Sequence, residues 1–134
     1  MKEPYWLTRE ECLALHEMML SQYGGSEGLR DDNLLESALA KPRQLFAYGK
    51  PAMTDLAASY VFGIVKNHPF IDGNKRTGFM LGAGFLERNG CEFYASEVEA
   101  AVRTLALAAG ELSEAEFAAW LKVNARKLGK QGKP

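Results

Sequence analysis

The stretch Leu56–Leu86, LAASYVFGIVKNHPFIDGNKRTGFMLGAGFL, decides how this chain folds. Its two flanks, Leu56 to Val65 and Phe79 to Leu86, are apolar nearly all round, and a helix without a polar face belongs inside a bundle. Between them, the loop from His68 to Gly78 holds a histidine, a carboxylate, a glycine turn, an amide and two cations. Packing does not call for that density of polar chemistry beside buried helices. The stretch predicts a central helix capped by Thr54 and ending at Asn67, then the polar loop. A second central helix runs from near Asn74 to Asn89–Gly90, with Gly82 and Gly84 allowing a close neighbour.

Working outward, Thr8-Arg9-Glu10-Glu11 is a capping-box pattern, and apolar residues at helical spacing from Cys12 to Tyr23 predict a first helix stopped by Gly24-Gly25. A polar, glycine-rich link leads to a second helix capped by Asp32 or Asn33, running through Ala40 and ended by Pro42. From Arg43 to Met53 the helical period fades, which predicts an ordered loop or small hairpin. Beyond the central pair, Cys91 to Tyr94 reads as an extended connector. Ser96 and Ser113 each open a capping box, for a fifth helix ended by Gly110 and a sixth carrying Phe117, Trp120, Leu121, Asn124 and Leu128. No strand pair is expected. The fold class is therefore all-α: a compact single-domain bundle of about six helices over 1–134, with its core at about 5–126 and a basic, frayed tail at 127–134.

A length of 134 residues with 47% hydrophobic and 25% charged residues suits one globular domain. The formal net charge of −1 excludes a global pull toward nucleic acid or membrane, so any anion site must be local. Two cysteines, Cys12 and Cys91, far apart and without histidine spacing, suggest neither a disulfide scaffold nor a zinc site. No apolar run approaches the roughly 20 residues that span a bilayer. A soluble, cytoplasmic protein is expected.

Asp72-Gly73-Asn74-Lys75-Arg76 reads as a turn entering a helix. The first N–H groups of that helix face the loop at the positive end of the dipole and form an anion site. Gly73 admits the tight backbone that exposes them, and Lys75 and Arg76 add charge, Arg76 as a fork of donors. Cations at a helix N-terminus are locally unfavourable by about 0.3–1 kcal/mol unless an anion offsets them, and such conflicts mark function. Asp72 is placed to hold Mg²⁺ bridging phosphate oxygens. His68, a few residues earlier, suits the proton uptake that a hydroxyl nucleophile needs near neutral pH. These are the parts for moving a phosphate-containing group onto a hydroxyl.

The order His68-x-Phe70-x-Asp72-Gly73-Asn74-Lys75-Arg76 resembles the signature of the Fic/Doc family, whose broad form is His-x-Phe-x-Asp/Glu-Gly-Asn-Gly-Arg-x-x-Arg. Lys75 stands where that form has its second glycine and Phe79 where it has its final arginine; both departures resemble the Doc branch, the death-on-curing toxins. Leu13-Ala14-Leu15-His16, Tyr23-Gly24-Gly25 and Arg88-Asn89-Gly90 extend the likeness.

The resemblance implies a helical bundle with the motif loop between two central helices and ATP and Mg²⁺ as substrate and cofactor. His68 would be the base, Asp72 the metal ligand, Gly73, Asn74, Lys75 and Arg76 the phosphate cradle, and Phe70 the loop's core anchor. In the wider family AMP is transferred to a protein hydroxyl. In the Doc branch the nucleotide binds reversed and the γ-phosphoryl passes to a threonine of elongation factor Tu, arresting translation. The resemblance also implies a type II toxin restrained by a cognate antitoxin whose C-terminal helix lies in a groove beside the site. The segment carrying Phe46, Ala47 and Tyr48 would be a flap pairing edgewise with the target. Adenylylation and a non-catalytic interaction module stand as alternatives. His16, on an apolar helical face, reads as a hydrogen-bonded core histidine, and Trp6 and Trp120 as packing residues.

Overall fold

A computed structural model describes residues 2–128. Six helices follow in order: α1 Arg9–Tyr23, α2 Asp32–Tyr48, α3 Met53–Asn67, α4 Asn74–Arg88, α5 Glu97–Ala109 and α6 Glu114–Val123. The all-α expectation holds, with α3 as the central element. Leu56, Ala57, Ala58, Tyr60, Val61 and Ile64 are fully buried, with α2, α4, α5 and α6 packed around it. α4 approaches α3 closely because Gly82 carries no side chain. A methyl group there would overlap Val61 and lie 2.9 Å from the Ala57 carbonyl oxygen. This contact fixes the two ends of the polar loop relative to one another.

The capping logic holds at α1, where Thr8 accepts from Glu11 N and Glu11 reaches back to Thr8 N, and at α6, where Ser113 and Glu116 do the same. At α5, Ser96 caps as expected, but the Glu99 carboxylate accepts from Trp120 Nε1 instead of closing a box.

Several boundaries differ from expectation. α2 is capped by Asp31 and does not stop at Pro42; it runs through Pro42 to Tyr48. Leu35, Ala38, Leu39 and Pro42 form one buried stripe, and its tertiary packing outweighs the hydrogen bond that the ring forfeits. The expected loop or hairpin at Arg43 to Met53 therefore shrinks to the turn before α3. The edge-pairing flap assigned to Phe46, Ala47 and Tyr48 is corrected with it: these residues are helical, so their N–H groups face the preceding turn and not a partner strand. Extended backbone begins only at Gly49. α3 is entered at Ala52, whose N–H donates to the Asp55 carboxylate, while Thr54 is buried and caps nothing.

The chain also contains a strand pair that the sequence reading did not expect. β1 Cys91–Phe93 pairs antiparallel with β2 Ala125–Lys127, Cys91 opposite Lys127. α6 thus ends at Val123, short of Leu128, and Lys127 is tied into the sheet, not frayed. The rest of the expected frayed tail, 129–134, lies outside the described residues. Among the described residues no helix is long and apolar enough to cross a membrane.

Candidate active site

α3 ends on His68, whose backbone is left-handed (φ 52°, ψ 55°) and whose N–H donates to Ile64 O. It is the one described residue other than glycine with positive φ. That geometry costs about 1–2 kcal/mol, and it turns the chain sharply enough to bury Phe70 two residues later. Burying a phenylalanine contributes about 1.5–3 kcal/mol, so the anchor assigned to Phe70 is sufficient to offset the strain.

The loop then returns to helix at Gly73, which adopts φ 79° as the N-cap of α4 and supplies no side-chain cap. The first N–H groups of α4 are consequently left to an external acceptor. Lys75 and Arg76 are exposed at this end, and the Arg76 guanidinium lies over the Tyr23 ring, 4.3 Å from its centroid. Asp72 points one carboxylate oxygen to its own neighbour, accepting from Gly73 N (2.9 Å), and the other toward Ser26 N (3.2 Å).

Asn74 differs from the other cradle residues. Its side chain is buried: Oδ1 accepts from Phe70 N (2.9 Å), Nδ2 donates to Phe70 O (2.9 Å), and Nδ2 also faces His68 Nδ1 (3.2 Å). Both backbone bonds fix which end of the amide is nitrogen, so Nδ1 of His68 is an acceptor and the neutral ring carries its proton on Nε2. What Asn74 offers a phosphate is its backbone N–H, while its side chain staples the loop.

His68, Asp72, Gly73, Asn74, Lys75 and Arg76 all line one cavity of about 560 Å³. Its other walls come from Tyr23 of α1, Phe79 and Met80 of α4, and Ala101, Thr104 and Leu105 of α5. Thr104 is buried, and its hydroxyl has no hydrogen-bond partner among the described residues. Phe79 packs edge-on against Phe93 at 5.6 Å and extends a cluster with Trp120, so the position of the wider pattern's last arginine is given to packing. Phe46, Ala47 and Tyr48 do not line this cavity.

Residues 6–86 match the Fic/DOC family over more than half of the chain. The chain belongs to the Fic/DOC family. Two relatives agree with that placement. The sequence is 34% identical over 119 residues to a protein named Protein kinase doc from Escherichia phage P1, covering 87% of this chain and 92% of that one. It is 36% identical over 93 residues to a protein named Toxin Doc from Mycolicibacterium smegmatis, covering 67% and 68%.

Two residues outside the motif hold it by contacts that the sequence did not show, because their partners are backbone atoms of a distant loop. His16 is buried as expected, but its bond is to the motif: Nε2 donates to Asp72 O at 2.8 Å, and its ring stacks on Phe70 at 3.8 Å. Arg30 donates from Nε to His68 O (2.7 Å) and from Nη2 to Asn67 O (2.8 Å). A signal for Arg30 was present: a cation just before the N-cap of α2 is out of place by the dipole argument already applied to Lys75 and Arg76.

The residues fit a magnesium nucleotide. Among the described residues no cluster of three or more metal-binding side chains exists, and Mg²⁺ bound through substrate phosphates needs only one or two carboxylates. Asp72 supplies one at the mouth of an uncapped helix N-terminus.

Proposed function

We propose that this protein is a Doc-like toxin that transfers the γ-phosphoryl of ATP to a Ser or Thr hydroxyl of a translation factor of the elongation factor Tu type. The observation that carries the reading is the uncapped N-terminus of α4, bearing two exposed cations and opening into the same cavity as His68.

The N–H groups at the start of α4, with Lys75 and Arg76, hold the phosphates, and Arg76 is kept in place by the face of Tyr23. Asp72 would hold Mg²⁺, which supplies charge neutralisation between phosphates. The adenosine end would lie along the apolar wall of Met80 and Ala101. His68 takes the hydroxyl proton. Its lone pair is on Nδ1, which the ring presents by turning about Cβ–Cγ and releasing the 3.2 Å contact to Asn74. The hydroxyl oxygen forms a bond to the γ-phosphorus as the bond to the β–γ bridging oxygen breaks, and ADP leaves with that electron pair.

Lys75 favours phosphoryl over AMP transfer because it fills space that glycine would leave beside the turn. AMP transfer is the second reading, supported by Gly73, which keeps the turn in the wider family's form. The relatives' printed names, a kinase and a toxin, support the first reading and a cognate antitoxin as partner. The Ile71, Val102 and Leu105 side chains, each more than half exposed, give that partner apolar surface near the cavity. Expression of wild-type and His68→Ala protein in growing cells tests the toxin role: wild type arrests growth, His68→Ala does not, and equal growth of the two overturns it.

A further inference from the structure

The motif loop is held from outside at both of its ends, by the α1–α2 link and by α1. The link runs antiparallel to the loop. Arg30 N and Asp31 N both donate to Pro69 O, at 2.6 and 3.1 Å. Leu29 bridges Phe70, and Ile71 N donates to Gly28 O at 3.0 Å. Onto this pairing Arg30 adds its side chain, bonding the carbonyls of Asn67 and His68 together. Those carbonyls close α3, at the negative end of its dipole, where a guanidinium is favoured. The left-handed turn of His68 sets the direction from which its imidazole leaves the chain, and Arg30 grips the peptide oxygen that this turn exposes.

His16 acts on the other end. Its N–H to Asp72 O fixes the peptide joining Asp72 to Gly73, the residue whose positive φ aims the α4 N–H groups. Its ring, nearly parallel to Phe70 at 9°, ties that peptide to the buried anchor.

We infer that Arg30 and His16 are positioning residues with separable roles: Arg30 sets the proton-accepting end of the loop through His68, and His16 sets the phosphate-holding end through Asp72 and Gly73. The inference deepens the proposed reaction and rests on it, but its structural half stands independently, because the two contacts reach different ends of the loop.

The test uses the full chain carrying Arg30→Gln, Arg30→Lys, His16→Phe and His16→Gln. Phe retains the stack and removes the donor, while Gln retains a donor. Arg30→Gln lowers kcat by about ten- to a hundredfold, the effect of misplacing a general base, with KM for Mg-ATP changed less than about twofold. His16→Phe raises KM for Mg-ATP by about tenfold with kcat little changed. Arg30→Lys and His16→Gln each restore part of the loss. In NMR spectra without nucleotide, the His68 ring signals move in Arg30→Gln and the Gly73 amide moves in His16→Phe, each without the other. Equal loss of kcat and rise of KM in both variants, or the same loop signals moving in both, overturns the inference. If wild-type protein transfers nothing, the proposed reaction fails and the NMR comparison alone decides the positioning roles. A variant that unfolds is replaced by its conservative partner, read by the same signals.

Discussion

The side-chain amide of Asn74 faces Nδ1 of His68 at 3.2 Å while bonding both the N–H and the C=O of Phe70. One buried amide therefore ties the end of α3 to the start of α4 and sets the protonation pattern of the exposed histidine between them. The contact selects the tautomer with the proton on Nε2, and the ¹⁵N shifts of the imidazole report it directly. Asn74→Ala frees Nδ1 and removes both bonds to Phe70, leaving buried backbone groups unpaired. A loss of about 1–3 kcal/mol in unfolding free energy, read from the shift of the denaturant midpoint, accompanies the change of tautomer. A wild-type ring with its proton on Nδ1 contradicts the arrangement.

The contact between α3 and α4 predicts the effect of a single methyl group. Gly82→Ala places a carbon 2.9 Å from the Ala57 carbonyl oxygen and against Val61, so the helices must part or shift. The expected cost is about 1–3 kcal/mol, measured by urea unfolding, with activity falling as the loop between the helices loses its geometry. Gly84→Ala is the control: its added methyl meets only Leu7, at 3.9 Å, and stability should change little.

Alkaline pH should weaken the fold through Cys12. Burial pushes its thiol up to about 12, and burial likewise raises the Tyr60 phenol. A raised folded-state pKa means that the unfolded chain loses its proton first. The stabilisation is thus complete below the unfolded thiol's ordinary pKa of about 8.5 and drains away as pH rises from there toward 12. Unfolding midpoints recorded from pH 7 to 11 should fall in this window, and Cys12→Ala should flatten part of the fall. At pH 8 Cys12 should resist alkylation in the folded protein, since little thiolate is present.

Much of this fold was legible because its signals are local. Thr8 with Glu11 and Ser113 with Glu116 announce helix starts, and the apolar run from Leu56 to Val65 announces a central helix. Pro42 misled because its penalty is local while the burial of Leu35, Ala38 and Leu39 that carries α2 past it is tertiary. The three-residue strands at Cys91 and Ala125 are too short to show a period, and they pair across more than thirty positions of sequence. Within the candidate site, His68, Asp72 and the start of α4 could be read from spacing alone. The partners of His16 and Arg30 could not, because each recognises a carbonyl oxygen and every residue has one.

Lys75 concentrates the choice between the two transfer reactions in one side chain. Lys75→Gly should open room beside the turn, lowering phosphoryl transfer by about tenfold or more while allowing AMP transfer to appear. Intact-mass measurement of the modified target distinguishes the products.

The central claim is met most directly by incubating purified wild-type and His68→Ala protein with a translation extract and Mg-ATP labelled at either the γ- or the α-phosphate. The account predicts γ-label on a translation factor with wild type and none with His68→Ala; α-label retained on the target, or γ-label transferred equally by both proteins, would contradict it.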